Sequence, residues 1–209
     1  MKRKSRAIAC CSLGALLAGC ATKHPENPAL DLFPAGVDGS TDITYYDIHG
    51  RTARELVAQL RQLGPKTATG AFWAEAQSPM RWTYRTRTDG GERCSLTNVH
   101  ILVHTEITMP RWVPPADTEP GVYDQWQESM AALTMHEVGH KNISAQAARE
   151  VLDRLKAIST DCNDIGTVAA RATDAIMVKM RADQAKYDAE THHGQTQGVA
   201  FPPPKRPVP

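Results

Sequence analysis

The sequence predicts an α+β fold, with an antiparallel sheet in the first half of the chain packed on helices in the second half. Two patterns carry that reading. From Leu96 to Met109 apolar and polar residues alternate with a period of two, and from Tyr123 onward apolar residues recur at intervals of three and four. Strands come first and helices follow, the order of an α+β domain rather than of alternating βαβ units.

Taken in order, Ile43-Thr44-Tyr45-Tyr46 is a short strand rich in β-branched and aromatic residues. Thr52 is placed to cap a helix in which Leu56, Leu60 and Leu63 share a face, and Gly64-Pro65 stops it. Phe72-Trp73-Ala74 and the run from Met80 to Arg87 read as strands, with a turn at Asp89-Gly90-Gly91. In the long strand, Val99, Ile101, Val103, Thr105, Ile107 and Met109 point to one face. His100, His104, Glu106 and Thr108 point to the other. Pro110, Pro114, Pro115 and Pro120 break the chain before the helical half. Tyr123, Trp126, Met130 and Leu133 then form the stripe of an amphipathic helix. A second helical segment carries Val151, Leu152, Leu155 and Ile158. A third runs from about Ile165 to Tyr187.

The first residues have the order of an export signal. Lys2, Arg3, Lys4 and Arg6 precede the apolar run Ala7 to Leu17, which is too short to span a bilayer permanently. Leu17-Ala18-Gly19-Cys20 resembles the bacterial lipobox. Residues 1–19 are therefore expected to be removed and Cys20 to carry lipid, which would hold the domain at a membrane of the cell envelope. Ala21 after the cysteine points to the outer membrane in a Gram-negative host. Residues 20–40 read as a tether, 41–198 as one domain, and the Pro-rich 199–209 as an extended tail.

Removing the signal takes four of the 24 Lys and Arg and none of the 23 Asp and Glu, so the remaining chain carries 20 − 23 = −3. There is no basic field to attract nucleic acid. Cys10 and Cys11 leave with the signal and lipid claims Cys20. Cys94 and Cys162 remain, an even pair in an oxidising compartment, and are expected to form a disulfide contributing about 2–5 kcal/mol.

The chemistry lies at the end of the amphipathic stripe, which continues into His136-Glu137-Val138-Gly139-His140. Histidines four apart on a helix share a face, with Cβ atoms about 5–6 Å apart, so both imidazoles can reach one ion. Glu137 between them can polarise a water and shuttle its proton. Gly139 leaves room for a neighbouring element. A catalytic zinc needs a third protein ligand and an open position. His193 is the first candidate and Asp188 the second, with His192 and Glu190 behind them. Tyr187 is placed either to hydrogen-bond a tetrahedral intermediate or to fill the interior. His100 and His104, about 13 Å apart on a strand, cannot share an ion.

The arrangement resembles the bacterial family of predicted secreted zinc-dependent proteases known as domain of unknown function 922. The resemblance spans about Ile43 to Phe201. It rests on Tyr45-Tyr46, Leu56 with Leu60, Trp82-Thr83-Tyr84, Cys94, Pro110-Arg111-Trp112, the His136–His140 motif, and the closing Tyr187-Asp188, Thr191, His193-Gly194 and Gln197-Gly198. It implies a zincin-like domain with Zn2+ held by His136 and His140, Glu137 as catalytic base and His193 as the distal histidine. A peptide or protein substrate is then expected, lying along an edge strand such as the one ending near Met109. The rival expectation is a non-catalytic envelope lipoprotein whose structural metal braces a surface for a protein partner. Hydrolysis of cell-wall peptides is a weaker third reading, because no wall-binding module is recognisable.

Overall fold

The computed structural model describes residues 32–67 and 70–202. The expectations for the export signal, for Cys20 and for the last residues of the tail lie outside these residues. The fold is α+β, as read, with three helices and a mixed sheet. None of the helices among the described residues is long and apolar enough to cross a membrane.

The alternating segment becomes one strand, β6, that runs from Arg93 to Trp112 and pairs with every other strand of the main sheet. β1 (Val37–Ile48) lies parallel on one side of it. On the other side β4 (Glu75–Gln77) and β5 (Met80–Gly90) lie antiparallel, and β7 (Ser159–Asp161) pairs antiparallel with the first residues of β6 opposite β5. The sheet is therefore mixed, not antiparallel, because β1 reaches β6 across a crossover instead of a hairpin. β2 (Lys66–Thr67) and β3 (Gly70–Ala71) form a separate two-stranded ribbon.

The inward face of β6 is the one its alternation marked: Ile101, Val103, Thr105 and Ile107 are all at most 2 % exposed. Two residues of β6, Asn98 and Val99, face one of β5 in a bulge between the Thr83–His100 and Arg85–Thr97 pairs. Asn98 takes a left-handed φ of 50° there, a conformation asparagine tolerates well. Pro110 does not end the strand. The β4 ladder stops at Thr108, so at position 110 only β1 lies alongside and a missing N–H is tolerated. As far as Thr108, however, the strand ending near Met109 is not an edge, because β1 lies on one side of it and β5 and β4 on the other. It is the centre of the sheet, and the substrate position expected there is corrected below.

Other boundaries move. Phe72-Trp73-Ala74 is a loop leading into β4, and β5 continues through Asp89 and Gly90, so the turn falls at Gly91-Glu92. α1 (Ala53–Leu63) is capped as expected, with the Thr52 side chain accepting from the Glu55 N–H. Only Leu56 and Leu60 are buried in it, and Leu63 is exposed at the helix end. The first two helical segments are one helix, α2 (Val122–Lys156), of 35 residues. Nothing between Leu133 and Val151 breaks it, and Gly139 is tolerated for a reason given below. Its buried stripe begins at Val122 and Trp126, with Tyr123 turned outward. α3 (Ile165–Thr191) packs antiparallel on α2.

The disulfide forms as read: Cys94 at the start of β6 joins Cys162 just ahead of α3, closing a separation of 68 residues. Packing contacts continue on both sides of residues 41–198. Residues 32–36 dock on α2, where the fully buried Lys141 Nζ donates to the Leu32 carbonyl at 2.7 Å and sits 4.6 Å from the Phe33 ring centroid. Arg149 donates to the Ala35 carbonyl at 2.9 Å. At the other end Val199 and Phe201 are buried, Phe201 against Trp126.

Candidate metal centre

The site forms where the middle of α2 meets the end of α3. His136 and Glu137 are each 4 % exposed, a burial that strands polar groups unless partners satisfy them. α3 turns Gln184, Tyr187, Asp188 and Thr191 toward the histidines from one face, because they recur at helical spacing, while Glu137 is met from β4. Gly139 is what lets the two helices close here: a Cβ at that position would lie 2.1 Å from the Tyr187 hydroxyl oxygen. The expectation that Gly139 makes room for a neighbour identifies that neighbour as Tyr187.

Tyr187 fills the gap between the two histidines. Its ring stacks on His136 at 5.1 Å with planes 14° apart and meets His140 edge-on at 5.0 Å. Its hydroxyl lies against the backbone of α2, donating to the His136 carbonyl at 3.4 Å and accepting from Gln197 Nε2 at 2.9 Å. That is the geometry of a wedge held in place.

Beyond α3 the chain turns through three successive left-handed residues, His192, His193 and Gly194, with φ of 49°, 53° and 80°. Thr191 holds the turn, donating to the Tyr187 carbonyl at 2.8 Å and accepting from the Gly194 N–H at 3.1 Å. Gly194 needs both its freedom and its lack of side chain: a Cβ would come within 2.5 Å of Val199 and 3.0 Å of His136. The turn delivers Gln197 to His136. The closing motif is therefore a device that returns the chain to α2.

Three ligand atoms converge. His136 Nε2 and His140 Nε2 are 3.3 Å apart, and Asp188 Oδ1 lies 3.3 Å from the first and 3.1 Å from the second. Four ligands arranged tetrahedrally at about 2.0 Å from an ion stand about 3.3 Å from one another, so the spacing fits a metal. Among the described residues, His136, His140 and Asp188 are the group of histidine and acidic ligands close enough to share an ion. His193, the first choice from sequence, is not in it. Its ring is more than half exposed, packs against Phe72 at 5.1 Å, and touches the site through Asp188, with Nδ1 3.3 Å from Oδ1.

Glu137 lies beside this group and reaches the sheet. Its carboxylate accepts the backbone N–H of Ala76 on β4. Burial pushes its carboxyl up to about 8, the charges of Asp188 and Glu75 push the same way, and the Ala76 N–H opposes them. Burial also depresses the His136 imidazole, favouring the neutral form in which a histidine ligates.

Two partners were not singled out by sequence. Gln184 Oε1 meets His140 Nδ1 at 2.5 Å, and Gln197 Oε1 meets His136 Nδ1 at 2.9 Å. Gln197 was part of the resemblance but had no role assigned. Gln184 had a signal available, since it stands three and four residues before Tyr187 and Asp188.

A mixed α+β domain carrying a two-histidine, one-aspartate site able to hold a metal ion defines the class. Within it, the chain belongs to the family described as bacterial protein of unknown function (DUF922), which it matches over residues 43–194. No curated protein and no solved structure matches the chain.

Proposed function

We propose that this protein is a zinc-dependent hydrolase of the cell envelope, acting as a peptidase and anchored to a membrane through lipid on Cys20. The observation that carries the reading is the tetrahedral spacing of His136 Nε2, His140 Nε2 and Asp188 Oδ1, with a buried glutamate next in sequence to one of them. Zinc suits two imidazoles and one carboxylate, and three protein ligands leave the open position that separates catalytic from structural sites. Bound there, it would supply Lewis acidity toward a peptide carbonyl and make water a better nucleophile.

The chain's own residues account for the rest. Beside a bound cation the Glu137 carboxyl would be drawn back down, so that as a carboxylate it would take the proton of the attacking water and pass it to the departing amine. Its hydrogen bond to Ala76 ties it to β4, which pairs with β6 on one side only among the described residues. An extended peptide is accordingly proposed to add to the outer edge of β4, where backbone hydrogen bonding would carry its scissile bond past Glu137. Asp188 is assigned as the third ligand. Tyr187 is assigned to packing, since its hydroxyl is committed to the helix backbone and Gln197.

The test is zinc content and peptide cleavage by the purified chain lacking residues 1–19. About one zinc per chain, with cleavage of a peptide mixture that a chelator stops and zinc restores, is the expected result. A folded protein that takes up no zinc when it is supplied overturns the hydrolase reading. Zinc without cleavage of any peptide would favour the structural-metal lipoprotein. The anchor is checked separately: Cys20→Ser is expected to release the chain from the membrane fraction.

A further inference from the structure

We infer that Gln184 and Gln197 are positioning residues that set the tautomer and ring orientation of His140 and His136 before any ion binds, an inference that rests on the metal site proposed above. Which end of the Gln184 amide faces its histidine follows from its other contacts. Gln184 Nε2 donates to the His140 carbonyl at 2.9 Å and to Ser144 Oγ at 3.0 Å. A carbonyl oxygen only accepts, so the nitrogen end must be there and Oε1 must face His140 Nδ1. The ring nitrogen opposite that oxygen must carry a proton.

Gln197 makes a similar pair of contacts, but its second partner is a hydroxyl. Its Nε2 donates to the Tyr187 hydroxyl at 2.9 Å, and its Oε1 faces His136 Nδ1 at 2.9 Å. A hydroxyl donates as well as accepts, so this contact leaves both orientations of the amide open; Oε1 facing His136 is part of the inference, and the ring tautomer of His136 tests it. With Gln197 oriented as Gln184 is, both neutral rings are Nδ1–H tautomers, and both Nε2 lone pairs are directed at the space beside Asp188 Oδ1.

Three acceptor atoms then face one another at 3.1–3.3 Å with no donor among them. That arrangement repels itself unless something positive lies between, so the glutamines hold the rings in a geometry useful only to a cation. Histidine ligands are commonly oriented by a carboxylate or a backbone carbonyl. A glutamine gives the same direction without charge, and its amide nitrogen fixes it to a second acceptor. The site then has a single anionic ligand, Asp188, and its two orienting groups add no charge.

Two readouts on the full mature chain test this. In the zinc-free protein, 15N-detected NMR of the histidine rings is expected to show His136 and His140 protonated on Nδ1. Gln184→Met and Gln197→Met should each shift only their own histidine toward the Nε2–H form. Competition with a chromophoric chelator should show zinc affinity falling about 10–100-fold in each variant. Gln197→Glu, which still offers an oxygen to Nδ1, should restore most of the loss. Wild-type rings protonated on Nε2 overturn the inference whatever the variants do. So do Met variants that keep wild-type affinity and tautomers. Failure of the wild type to bind zinc would instead remove the metal reading, while the ring tautomers are still read directly.

Discussion

Glu137→Gln is expected to leave the metal in place and remove hydrolysis. The amide keeps the size of the carboxyl and an oxygen for the Ala76 N–H, so the buried position stays filled and that hydrogen bond is kept. An amide cannot take a proton from water at neutral pH. General base catalysis contributes about 10²–10⁴-fold, and a loss of that size in kcat with zinc content unchanged is the expected result. Retention of full turnover would dismiss Glu137 as the base and, with it, the mechanism proposed for this helix.

Asp188→Ala is expected to have the largest effect on metal binding, and His193→Ala a small one. Asp188 Oδ1 lies 3.3 and 3.1 Å from the two ligating nitrogens, and removing it leaves two imidazoles and no anionic ligand. Because the ion's binding free energy depends on the full ligand set, affinity should fall by more than about 10³-fold. His193 meets the site only through Asp188, so its loss should cost at most about 10-fold. Metal titration of the two purified variants decides between them. The reverse order would mean that the His192–Gly194 turn rearranges to bring His193 onto the ion, and the ligand set would be redrawn.

Much of this site was legible in the sequence for local reasons. Helical spacing alone brings His136 and His140 together, and Gly139 between them announces a close neighbour. The Cys94–Cys162 pair followed from which cysteines remained once the expected signal and lipid anchor were set aside. The choice between Asp188 and His193 was not legible. Asp188 is still inside α3 and faces α2 along with Gln184 and Tyr187, whereas His193 lies past a left-handed turn that changes the chain's direction. Only the extent of the helix decides which side chain points inward. The parallel pairing of β1 with β6 was hidden for a different reason. It joins positions 64 apart, such as Val37 and Ile101, and no local pattern encodes direction across such a gap. Pro110 read as a strand breaker because its tolerance depends on a neighbour being absent on one side.

The docking of residues 32–36 under Lys141 and Arg149 sets a limit on where this protein can work. If Cys20 is fixed in a bilayer, only residues 20–31 separate it from the docked segment, and twelve residues cannot span more than about 40 Å in any conformation. The leash is shorter than a tether running to the sheet would be. Substrates would then be chosen partly by altitude: a chain that stays farther from the membrane than that length and the breadth of the domain together is never met.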